Sequence, residues 1–419
     1  NQFFKMKKVI VVGGGISGLC SAYYLVKDGH KVTILDQTNM DSGTSYINAG
    51  YITPSHFVPL AAPGIITQGL KWMLNSSSPF YMKPRWDMDF FKWALLFKKS
   101  AAVSNLERAL PVLKELNLKS RALYEELLAS HEFDFHYERK GVLMAYCSEK
   151  SEKEEHQVAE KAIKEGLEVS ILSQEDLRKV QPVLSDQVKG AVHYKCDAHM
   201  TPNHFMEELK TWLQEHGVDF KLGQKVENVT IKGKQIVSLR TRDRNYEADE
   251  FVLASGSWTS KLAKTMGLKI PIQGGKGYSM DVRRPTGITL PTILVDARMA
   301  ITPMDGFTRF AGTMEFSGNN ETIKKERVAA LANAVKAHYK DFTILPEEQD
   351  CATSGLRPVS PDGLPFIGKT AKYNNLTIAS GHAMMGWSLG PITGKLVSQE
   401  VNGSRPLMDV APLSPERFR

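Results

Sequence analysis

A glycine-rich turn between two short apolar segments constrains this 419-residue chain more than any other feature. Residues 9–12 are all valine or isoleucine, and residues 13–18 continue as Gly-Gly-Gly-Ile-Ser-Gly. A second apolar run, 31–35, ends on Asp36. This order of elements is the complete G-x-G-x-x-G pattern of a dinucleotide-binding βαβ unit: a strand, a glycine turn, a helix and a second strand that ends in an acid.

Each part of this pattern has a physical role in holding a nucleotide. Gly13 permits the tight turn, Gly15 lets the backbone approach a pyrophosphate, and Gly18 lets the helix pack closely on the strand. We predict a helix over 16–28, whose first amides point their partial positive charge at the phosphates. The Asp36 carboxylate is suited to accept the ribose hydroxyls. The pattern predicts a nucleotide cofactor but does not choose between FAD and NAD.

Composition sets further limits on the class of protein. The chain has 53 basic and 46 acidic residues, a net charge of +7, and 42% hydrophobic residues, which is typical of a globular protein with room for two domains. Because no Lys/Arg-rich block or basic-aromatic pattern occurs, we predict no nucleic-acid partner. Without a long apolar run or a leader-like segment, the sequence favours a cytoplasmic protein.

The cysteines and their neighbours do not form a metal-binding pattern. The thiols are widely spaced, with no C-x-x-C pair, at Cys20, Cys147, Cys196 and Cys351. This spacing is typical of reduced cytosolic thiols. Cys196 lies near His193 and His199, but the loose spacing on an expected strand favours a structural cluster. We therefore predict no metal site.

Two C-terminal blocks indicate the class of cofactor. Residues 355–368 read Gly-Leu-Arg-Pro-Val-Ser-Pro-Asp-Gly-Leu-Pro-Phe-Ile-Gly, and residues 379–391 read Ala-Ser-Gly-His-Ala-Met-Met-Gly-Trp-Ser-Leu-Gly-Pro. Both resemble the C-terminal signature of the flavin-dependent D-amino acid oxidase superfamily, which also contains glycine and sarcosine oxidases. Residues 43–52 and 276–279 resemble the bacterial D-amino acid dehydrogenase branch, and 248–258 is similar to the strand and turn that return to the nucleotide.

The resemblance implies an α/β fold with two interleaved domains. One is a glutathione-reductase-like, FAD-binding Rossmann domain, and the other is a substrate domain built on a mixed β-sheet. We assign the FAD-binding domain to 6–56, 197–268 and 351–412. The substrate domain receives 57–196, with a helical excursion, and 269–350. Further helices are expected near 322–340 and 386–400, the second with its N-terminal amides facing the flavin.

The expected FAD contacts come from the fingerprint, the segment after it, the returning strand and the C-terminal block. Small residues are expected wherever the backbone must approach the ring. The predicted cofactor-binding residues are Gly13, Gly15, Ile16, Ser17, Gly18, Asp36, Gln37, Thr44, Ser45, Asn48, Ala49, Gly50, Val226, Ala254, Ser255, Gly256, Trp258, Gly355, Arg357, Gly381, His382, Met384, Met385, Gly386, Trp387 and Ser388.

Three residues are predicted to act on the substrate. Arg357 matches the family arginine that binds the substrate carboxylate, and its planar fork suits bidentate binding. Tyr278 lies in the Lys-Gly-Tyr-Ser stretch, where its phenol would bond the substrate carboxylate or amine, or would pack in the core as a strand tyrosine. His382 is expected to contact the flavin, with a structural histidine as the alternative.

The implied reaction is the oxidative deamination of a D-amino acid. The resemblance implies hydride transfer from Cα to flavin N5, followed by hydrolysis of the imino acid to an oxo acid and ammonia. We expect noncovalent FAD, because Gly355 stands near the position where the sarcosine-oxidase-like branch has a cysteine. Without a second fingerprint for NAD(P)H, the electrons are expected to pass to a quinone or another acceptor. Two alternatives stay open: an oxygen-using glycine, sarcosine or D-hydroxyproline-type oxidase, and a noncatalytic flavin-binding scaffold.

The segment 71–99 carries a second hypothesis, about location. It contains half of the six tryptophans, Trp72, Trp86 and Trp93, among phenylalanines and lysines. Aromatic residues with basic neighbours are typical of a membrane interface, so the segment predicts a peripheral contact with the inner membrane. The alternative is that these aromatic residues cover the substrate domain.

Overall fold

The computed structural model describes residues 5–56, 80–83 and 85–418. Within these residues the chain forms a six-stranded sheet, a nine-stranded sheet and two small three-stranded sheets. The helices, in chain order, are α1 (Ile16–Lys27), α2 (Thr44–Ile47), α3 (Met88–Ser100), α4 (Val103–Ala129), α5 (Glu149–Lys164), α6 (Gln174–Val180), α7 (Pro202–Glu215), α8 (Thr259–Thr265), α9 (Lys325–His338), α10 (Pro346–Asp350) and α11 (Gly390–Asn402).

The six-stranded sheet is assembled from four distant parts of the chain. Its strands are β1 (Lys8–Val12), β2 (Lys31–Leu35), β10 (Asp219–Lys221), β14 (Glu250–Leu253), β20 (Phe366–Lys369) and β21 (Leu376–Ser380). The spatial order is β10-β2-β1-β14-β21-β20, and every neighbouring pair is parallel except the last. This is the doubly wound arrangement that the fingerprint predicts.

Both faces of this sheet are buried, which explains the apolar run at its centre. Val9 and Val11 belong to one core cluster, and Ile10 and Val12 belong to the cluster on the opposite face. A parallel strand covered on both sides reads as continuous valine and isoleucine for this reason. On the first face α1 packs against α11. A Cβ at Gly394 would collide with the backbone of Cys20, so only glycine permits this helix approach.

The nine-stranded sheet is mixed. Its strands are β4 (Phe80–Met82), β6 (Val142–Tyr146), β7 (Val169–Ser173), β8 (Gly190–Tyr194), β15 (Gln273–Val282), β16 (Thr292–Leu294), β17 (Met299–Met304), β18 (Phe307–Phe316) and β19 (Thr353–Val359). The order is β19-β15-β18-β17-β16-β6-β8-β7, and β4 pairs with β18 off this path. A bulge interrupts the pairing of β15 with β18, between Lys276 and Tyr278.

The two small sheets lie beside these larger ones. One is formed by β3 (Tyr51–Ile52), β9 (Ala198–Met200) and β5 (Tyr137–Glu138), in the order β3-β9-β5. The other is a meander of β11 (Asn228–Lys232), β12 (Gln235–Arg240) and β13 (Asn245–Glu247).

Some sequence-based boundaries differ from the structure. The expected FAD-binding segment 351–412 begins with β19, which pairs with β15 in the nine-stranded sheet, and the chain changes sheets only after Val359. The helix expected near 386–400 begins at Gly390, since residues 384–389 form turns before it. The first part of the expected substrate segment, 57–79, lies outside the described residues.

Within the described ranges, no helix is both long enough and apolar enough to cross a membrane.

Candidate active site

A cavity of about 920 Å³ lies where the two large sheets meet. This volume is at the upper end of the range found for small-molecule and cofactor sites. All predicted site residues line its wall except Gly18 and Gly381. The wall therefore includes Val226 and the returning turn, Ala254, Ser255, Gly256 and Trp258, together with the fingerprint and the C-terminal block.

Gly18 and Gly381 act on the backbone beneath the site instead of lining it. A Cβ at Gly18 would strike the carbonyl of Gly13, so Gly18 allows α1 to pack on the turn. Gly381 has a φ of +82°, and a Cβ there would press on the Phe366 ring. Gly381 is therefore a turn position packed against the sheet, and its direct contact with the cofactor stays a prediction.

The conformation of the fingerprint turn is fixed by Gly13 and by the hydrogen bonds of Asp36. Gly13 has a φ of +106°, and a Cβ there would clash with the carbonyl of Ala254. One carboxylate oxygen of Asp36 accepts the Gly14 amide at 2.7 Å, and the other accepts the amide and hydroxyl of Thr38 at 2.8 and 2.7 Å. These bonds fix the acid at the cavity wall, with further lone pairs directed to a ligand.

The segment that follows joins the two sheets. The hydroxyl of Thr44 accepts the Leu356 amide at 2.9 Å and donates to the Leu356 carbonyl at 3.1 Å. The Ser45 hydroxyl accepts the Ile16 amide at 3.0 Å. The Asn48 side chain donates to the Ser45 carbonyl at 2.7 Å and accepts the Gly50 amide at 2.7 Å. These side chains shape the backbone along the wall.

A buried ion pair supports this segment from below. Arg309 binds Asp281 through two bonds of 2.7 and 2.8 Å, and it also donates to the carbonyls of Tyr46 and Asn48 at 2.6 and 2.9 Å. These contacts of Arg309 were not predicted from the sequence. Arginine at an interior position of an apolar strand is the only signal for them, since a buried guanidinium requires acceptors.

The loop before α11 presents backbone amides to the cavity. The amides of Met384, Gly386, Trp387 and Ser388 have no hydrogen-bond partner among the residues that the structure describes. Met384 and Met385 lie on the same wall. Because α11 begins at Gly390, these amides belong to the loop that lines the cavity and not to the helix N-terminus. Such an array suits a group that carries negative charge.

The side chains in this loop serve the protein framework. The Ser388 hydroxyl donates to Asn117 at 2.7 Å and accepts the Thr53 amide at 3.2 Å, so Ser388 offers only its backbone to a cofactor. His382 Nε2 bonds the Thr393 hydroxyl at 2.8 Å. Burial lowers the pKa of His382 to about 4, which keeps the imidazole neutral.

Arg357 is the main cation of the cavity wall. Its Nη1 donates to the carbonyl of Thr313 at 2.8 Å. No acidic side chain of the described part of the chain forms an ion pair with it, and burial lowers the pKa of Arg357 to about 10. The guanidinium stays protonated at neutral pH, and the rest of its donor fork is available to an anionic ligand.

The backbone around Arg357 is specialised for this placement. The bulge in β18 puts Thr313 at a φ of +66°, which turns its carbonyl towards the guanidinium. Thr313 lines the cavity, and its hydroxyl is buried without a described partner. A Cβ at Gly277 would occupy the space of the guanidinium. Strained positions of this kind concentrate at ligand sites.

The Tyr278 hydroxyl already has a partner within the protein, as expected for the alternative of a packed strand tyrosine, and its substrate role stays a prediction. Tyr278 borders the cavity, but its hydroxyl donates to Glu315 at 2.9 Å within a buried cluster that also contains Lys276. Burial and the charge of Glu315 raise the pKa of Tyr278, so the phenol remains a donor to that acid. Alternation along β15 sends Tyr278 and Lys276 to one face and Gly277, beneath Arg357, to the other.

A hydrogen-bonded chain at the end of β3 was not predicted. The Ser55 amide and hydroxyl donate to the two carboxylate oxygens of Asp197, and the same hydroxyl bonds His56 Nδ1 at 3.1 Å. His56 lines the cavity, and burial lowers its pKa to about 4. Burial also raises the pKa of Asp197 to about 7, although bonds from Ser55 oppose this. Only the folded sheets bring Asp197 and His56 together.

The donor set fits an FAD molecule. Gly15 lies on the cavity wall where a pyrophosphate would pass, and Asp36 lies on the same wall, as an acid that accepts ribose hydroxyls must. The unpaired amides of Met384, Gly386, Trp387 and Ser388 suit the electron-rich end of a flavin.

Comparisons with known proteins agree with this assignment. A family model described as DAO, FAD dependent oxidoreductase, matches residues 8–400. The chain belongs to this family, and its cofactor is FAD.

The relatives refine the class. A D-amino acid dehydrogenase from Helicobacter pylori is 30% identical over 394 residues, which cover 94% of each chain. Another, from Vibrio vulnificus strain YJ016, is 30% identical over 413 residues, or 95% of this chain and 96% of that protein.

Solved structures share the fold. Glycine oxidase from Geobacillus kaustophilus has a TM-score of 0.78 at 22% identity over 99% of both chains. L-amino acid deaminase from Proteus vulgaris has a TM-score of 0.72 at 15% identity over 99% of this chain and 97% of that one.

Proposed function

We propose that this FAD-dependent oxidoreductase oxidises D-amino acids to imino acids, which water then converts to oxo acids and ammonia. The observation that carries the proposal is the Arg357 guanidinium on the cavity wall, with no described acidic partner. The names of the 30% identical relatives from Helicobacter pylori and Vibrio vulnificus support a D-amino acid as the substrate.

Arg357 is proposed to bind the substrate carboxylate. A guanidinium offers two parallel donors to a carboxylate, and such charge-assisted pairs are stronger than neutral hydrogen bonds. Removing the guanidinium from water is costly, and a carboxylate that enters the same dry cavity offsets that cost. The bond from Nη1 to the Thr313 carbonyl fixes the plane of the fork and therefore the direction from which the substrate approaches.

The remaining groups are proposed to orient and polarise the reactants. Thr313, whose buried hydroxyl has no described partner, lies on the wall beside Arg357. FAD, when bound, supplies the two-electron acceptor for the carbon that bears the amine. The amides of residues 384–388 would stabilise negative charge at their end of the cavity. His56, which burial keeps neutral, lies on the same wall.

We further propose that the electrons pass to a membrane quinone. The exposed face of α3 carries Met88, Phe91 and Leu95, 67%, 43% and 69% exposed, spaced three and four residues apart. Trp86, directly before this helix, is 99% exposed. The opposite face, with Phe90, Trp93 and Phe97, is buried against the nine-stranded sheet.

Exposed lysines accompany this apolar stripe. They are Lys92, Lys98 and Lys99 on α3 and Lys83 just before it. An apolar stripe flanked by lysines suits the surface of an anionic membrane. Trp93 instead packs on the nine-stranded sheet, which agrees with the alternative that these aromatic residues cover the substrate domain. Lys71 and Trp72 lie outside the described residues.

The decisive experiment follows the flavin absorbance without oxygen. The purified protein is mixed anaerobically with the D and L forms of several amino acids and with glycine. We expect rapid bleaching with D-amino acids and little with their L forms. Faster bleaching by glycine, with rapid peroxide formation in air, would favour the oxidase alternative. A flavin that no amino acid reduces would favour the noncatalytic scaffold.

Substitutions at Arg357 connect this result to the site. Arg357→Ala is expected to retain FAD and to lower kcat/KM by about 100-fold or more, since a charge-assisted bidentate contact is lost. Arg357→Lys should recover only part of that loss, because lysine lacks the planar fork. Arg284→Ala is the matched control, since Arg284 pairs with Glu348 away from the cavity. Normal kcat/KM in the Arg357→Ala variant would contradict the proposal.

A further inference from the structure

The small sheet of β3, β9 and β5 places three metal-binding side chains together outside the large cavity. His199 lies in the middle of β9, and Glu138 of β5 is its direct cross-strand partner. His136 precedes Glu138 by two residues, so its side chain projects from the same face of the ladder. One nitrogen from each histidine and one carboxylate oxygen all lie within 4.8 Å of one another.

His199 is not satisfied by ordinary interactions. The residue has no solvent exposure, and neither ring nitrogen makes a hydrogen bond of good geometry with the described residues. The Pro303 carbonyl approaches the ring without such geometry. Nε2 lies 3.3 Å from a carboxylate oxygen of Glu138. A buried polar group without a partner is costly, so this arrangement calls for a ligand.

His136 is oriented as metal-binding histidines are. Its Nδ1 lies 2.9 Å from the hydroxyl of Thr201, which also accepts the Asp305 amide at 2.9 Å. The hydroxyl oxygen has lone pairs for both donors. With Nδ1–H bonded to Thr201, Nε2 presents its lone pair, 3.9 Å from Glu138. Metal-binding histidines commonly donate their second N–H in this way.

Lys140 is the one nearby cation among the described residues that opposes a metal ion here. Its ammonium lies 2.8 Å from Glu138, and its side chain is 49% exposed. A flexible lysine at the surface is able to turn into solvent, which frees the carboxylate oxygen for another cation.

We propose that His136, Glu138 and His199 bind a divalent transition-metal ion of the zinc type, with water completing the coordination. Two imidazoles and a carboxylate suit zinc and its neighbours better than magnesium or calcium, which prefer oxygen ligands. Metal–ligand bonds of about 2.0–2.2 Å require the three atoms to move closer together. The two histidines and the glutamate come from opposed strands, so the ion links β5 to β9.

The linked strand reaches the cavity wall. The Met200 amide of β9 donates to the Gly50 carbonyl at 2.9 Å, and a Cβ at Gly50 would clash with the carbonyl of Met200. The ion therefore acts as a structural clamp behind residues 48–50. It takes no part in the redox chemistry, so the inference does not depend on the proposed substrate.

The test uses the FAD-bound protein without an affinity tag. After treatment with a chelator, the protein is titrated with Co²⁺ and then with Zn²⁺, and bound metal is measured by elemental analysis and by the ligand-field absorption of Co²⁺. We expect one ion per chain, displacement of Co²⁺ by Zn²⁺, and a higher melting temperature with Zn²⁺.

The substitutions are made at the two partly exposed ligands, because a change at fully buried His199 risks misfolding. Glu138→Gln and His136→Gln should each weaken binding by more than about 100-fold, beyond the loss typical of an outer-shell change. Lys140→Met should tighten it. His156→Gln, which lies outside the cluster and bonds Tyr146, should bind as the parent does. Absence of stoichiometric binding, or equal affinity in parent and Glu138→Gln, would overturn the proposal.

Discussion

The guanidinium of Arg357 lies over Gly277 in the space that a side chain at position 277 would fill. The two residues belong to the neighbouring antiparallel strands β19 and β15, where Gly275 is the direct partner of Arg357. The arginine therefore leans diagonally across the ladder to reach the cavity. The absence of a side chain at Gly277 decides where the positive charge is held.

Gly277→Ala should disable the site without removing any of its charges. The new methyl group displaces the guanidinium, and a displacement of about 1 Å is enough to lower kcat/KM roughly 100-fold. Steady-state kinetics and FAD content would measure this. Gly275→Ala is the comparison on the same strand, because a Cβ there meets the side chains of Met314 and Val359 instead of the guanidinium itself. Equal loss in both variants would indicate a general effect on the strand.

Asp36→Ala should weaken FAD binding. The variant loses the carboxylate that orients the Gly14 amide and is expected to accept the ribose hydroxyls. Each hydrogen bond to a charged group contributes about 1.5–3 kcal/mol, so the FAD dissociation constant should rise at least 10-fold. The flavin fluorescence that appears on dilution would measure the release of FAD. Asp41→Ala is the control, because Asp41 is exposed.

FAD should be released when the parent protein is precipitated with acid. No cysteine stands at position 355, where Gly355 packs against Thr44 and Ile47. We therefore expect the flavin in the supernatant, measured by its absorbance. Colour retained in the washed pellet would show a covalent link.

Acid should destabilise the protein through His382. Its pKa is lowered to about 4 in the folded state, while the unfolded chain binds the proton near the ordinary value of 6.5. Between these pH values the unfolded state binds more protons than the folded state, so the free energy of unfolding rises with pH. The stability that neutral His382 contributes is therefore lost as the pH falls from 6.5 towards 4. The full effect is about 3 kcal/mol.

Urea unfolding at a series of pH values would test this expectation. His382→Gln should flatten the dependence between pH 4 and 6.5, because one titrating group is removed. His131→Asn is the control, since His131 is exposed and asparagine tolerates its φ of +58°. An unchanged slope in His382→Gln would contradict the expectation.

The exposed stripe of α3 should bind anionic membranes. Leu95→Glu places a negative charge within the stripe and should abolish flotation with anionic vesicles at low salt. High salt should weaken the parent's binding, because the lysine contribution is screened. Ile163→Glu changes an equally apolar residue on α5, 50% exposed, and should leave flotation intact. Flotation of the Leu95→Glu variant at the parent level would reject this surface.

The elements nearest the fingerprint were predictable because their signals are local. The run 9–12, the glycine turn and Asp36 specify a strand, a turn and a second strand, and β1, α1 and β2 follow them closely. The position of Arg357 on the cavity wall also agrees with the motif around it. Helix ends were less certain, as the start of α11 shows, because turns with buried apolar residues look helical in sequence.

Contacts made by distant segments could not be predicted. The bulge at Thr313 depends on how β18 pairs with β15, and no local pattern encodes that register. The bond between Tyr278 and Glu315 likewise depends on which face of β15 turns to the core. His136 and Glu138 are far from His199 in sequence, so the spacing of residues around His199 does not reveal the cluster.

The position of β1 at the centre of its sheet has a consequence for synthesis. Val9 pairs with Glu250, so β1 cannot acquire its second neighbour until more than half of the chain has emerged. At translation rates of about 5–20 residues per second, the apolar edge of β1 waits on the order of 10–50 s without its partner. The nascent chain therefore needs protection from aggregation on the ribosome, and chaperones that bind apolar strands will govern its yield.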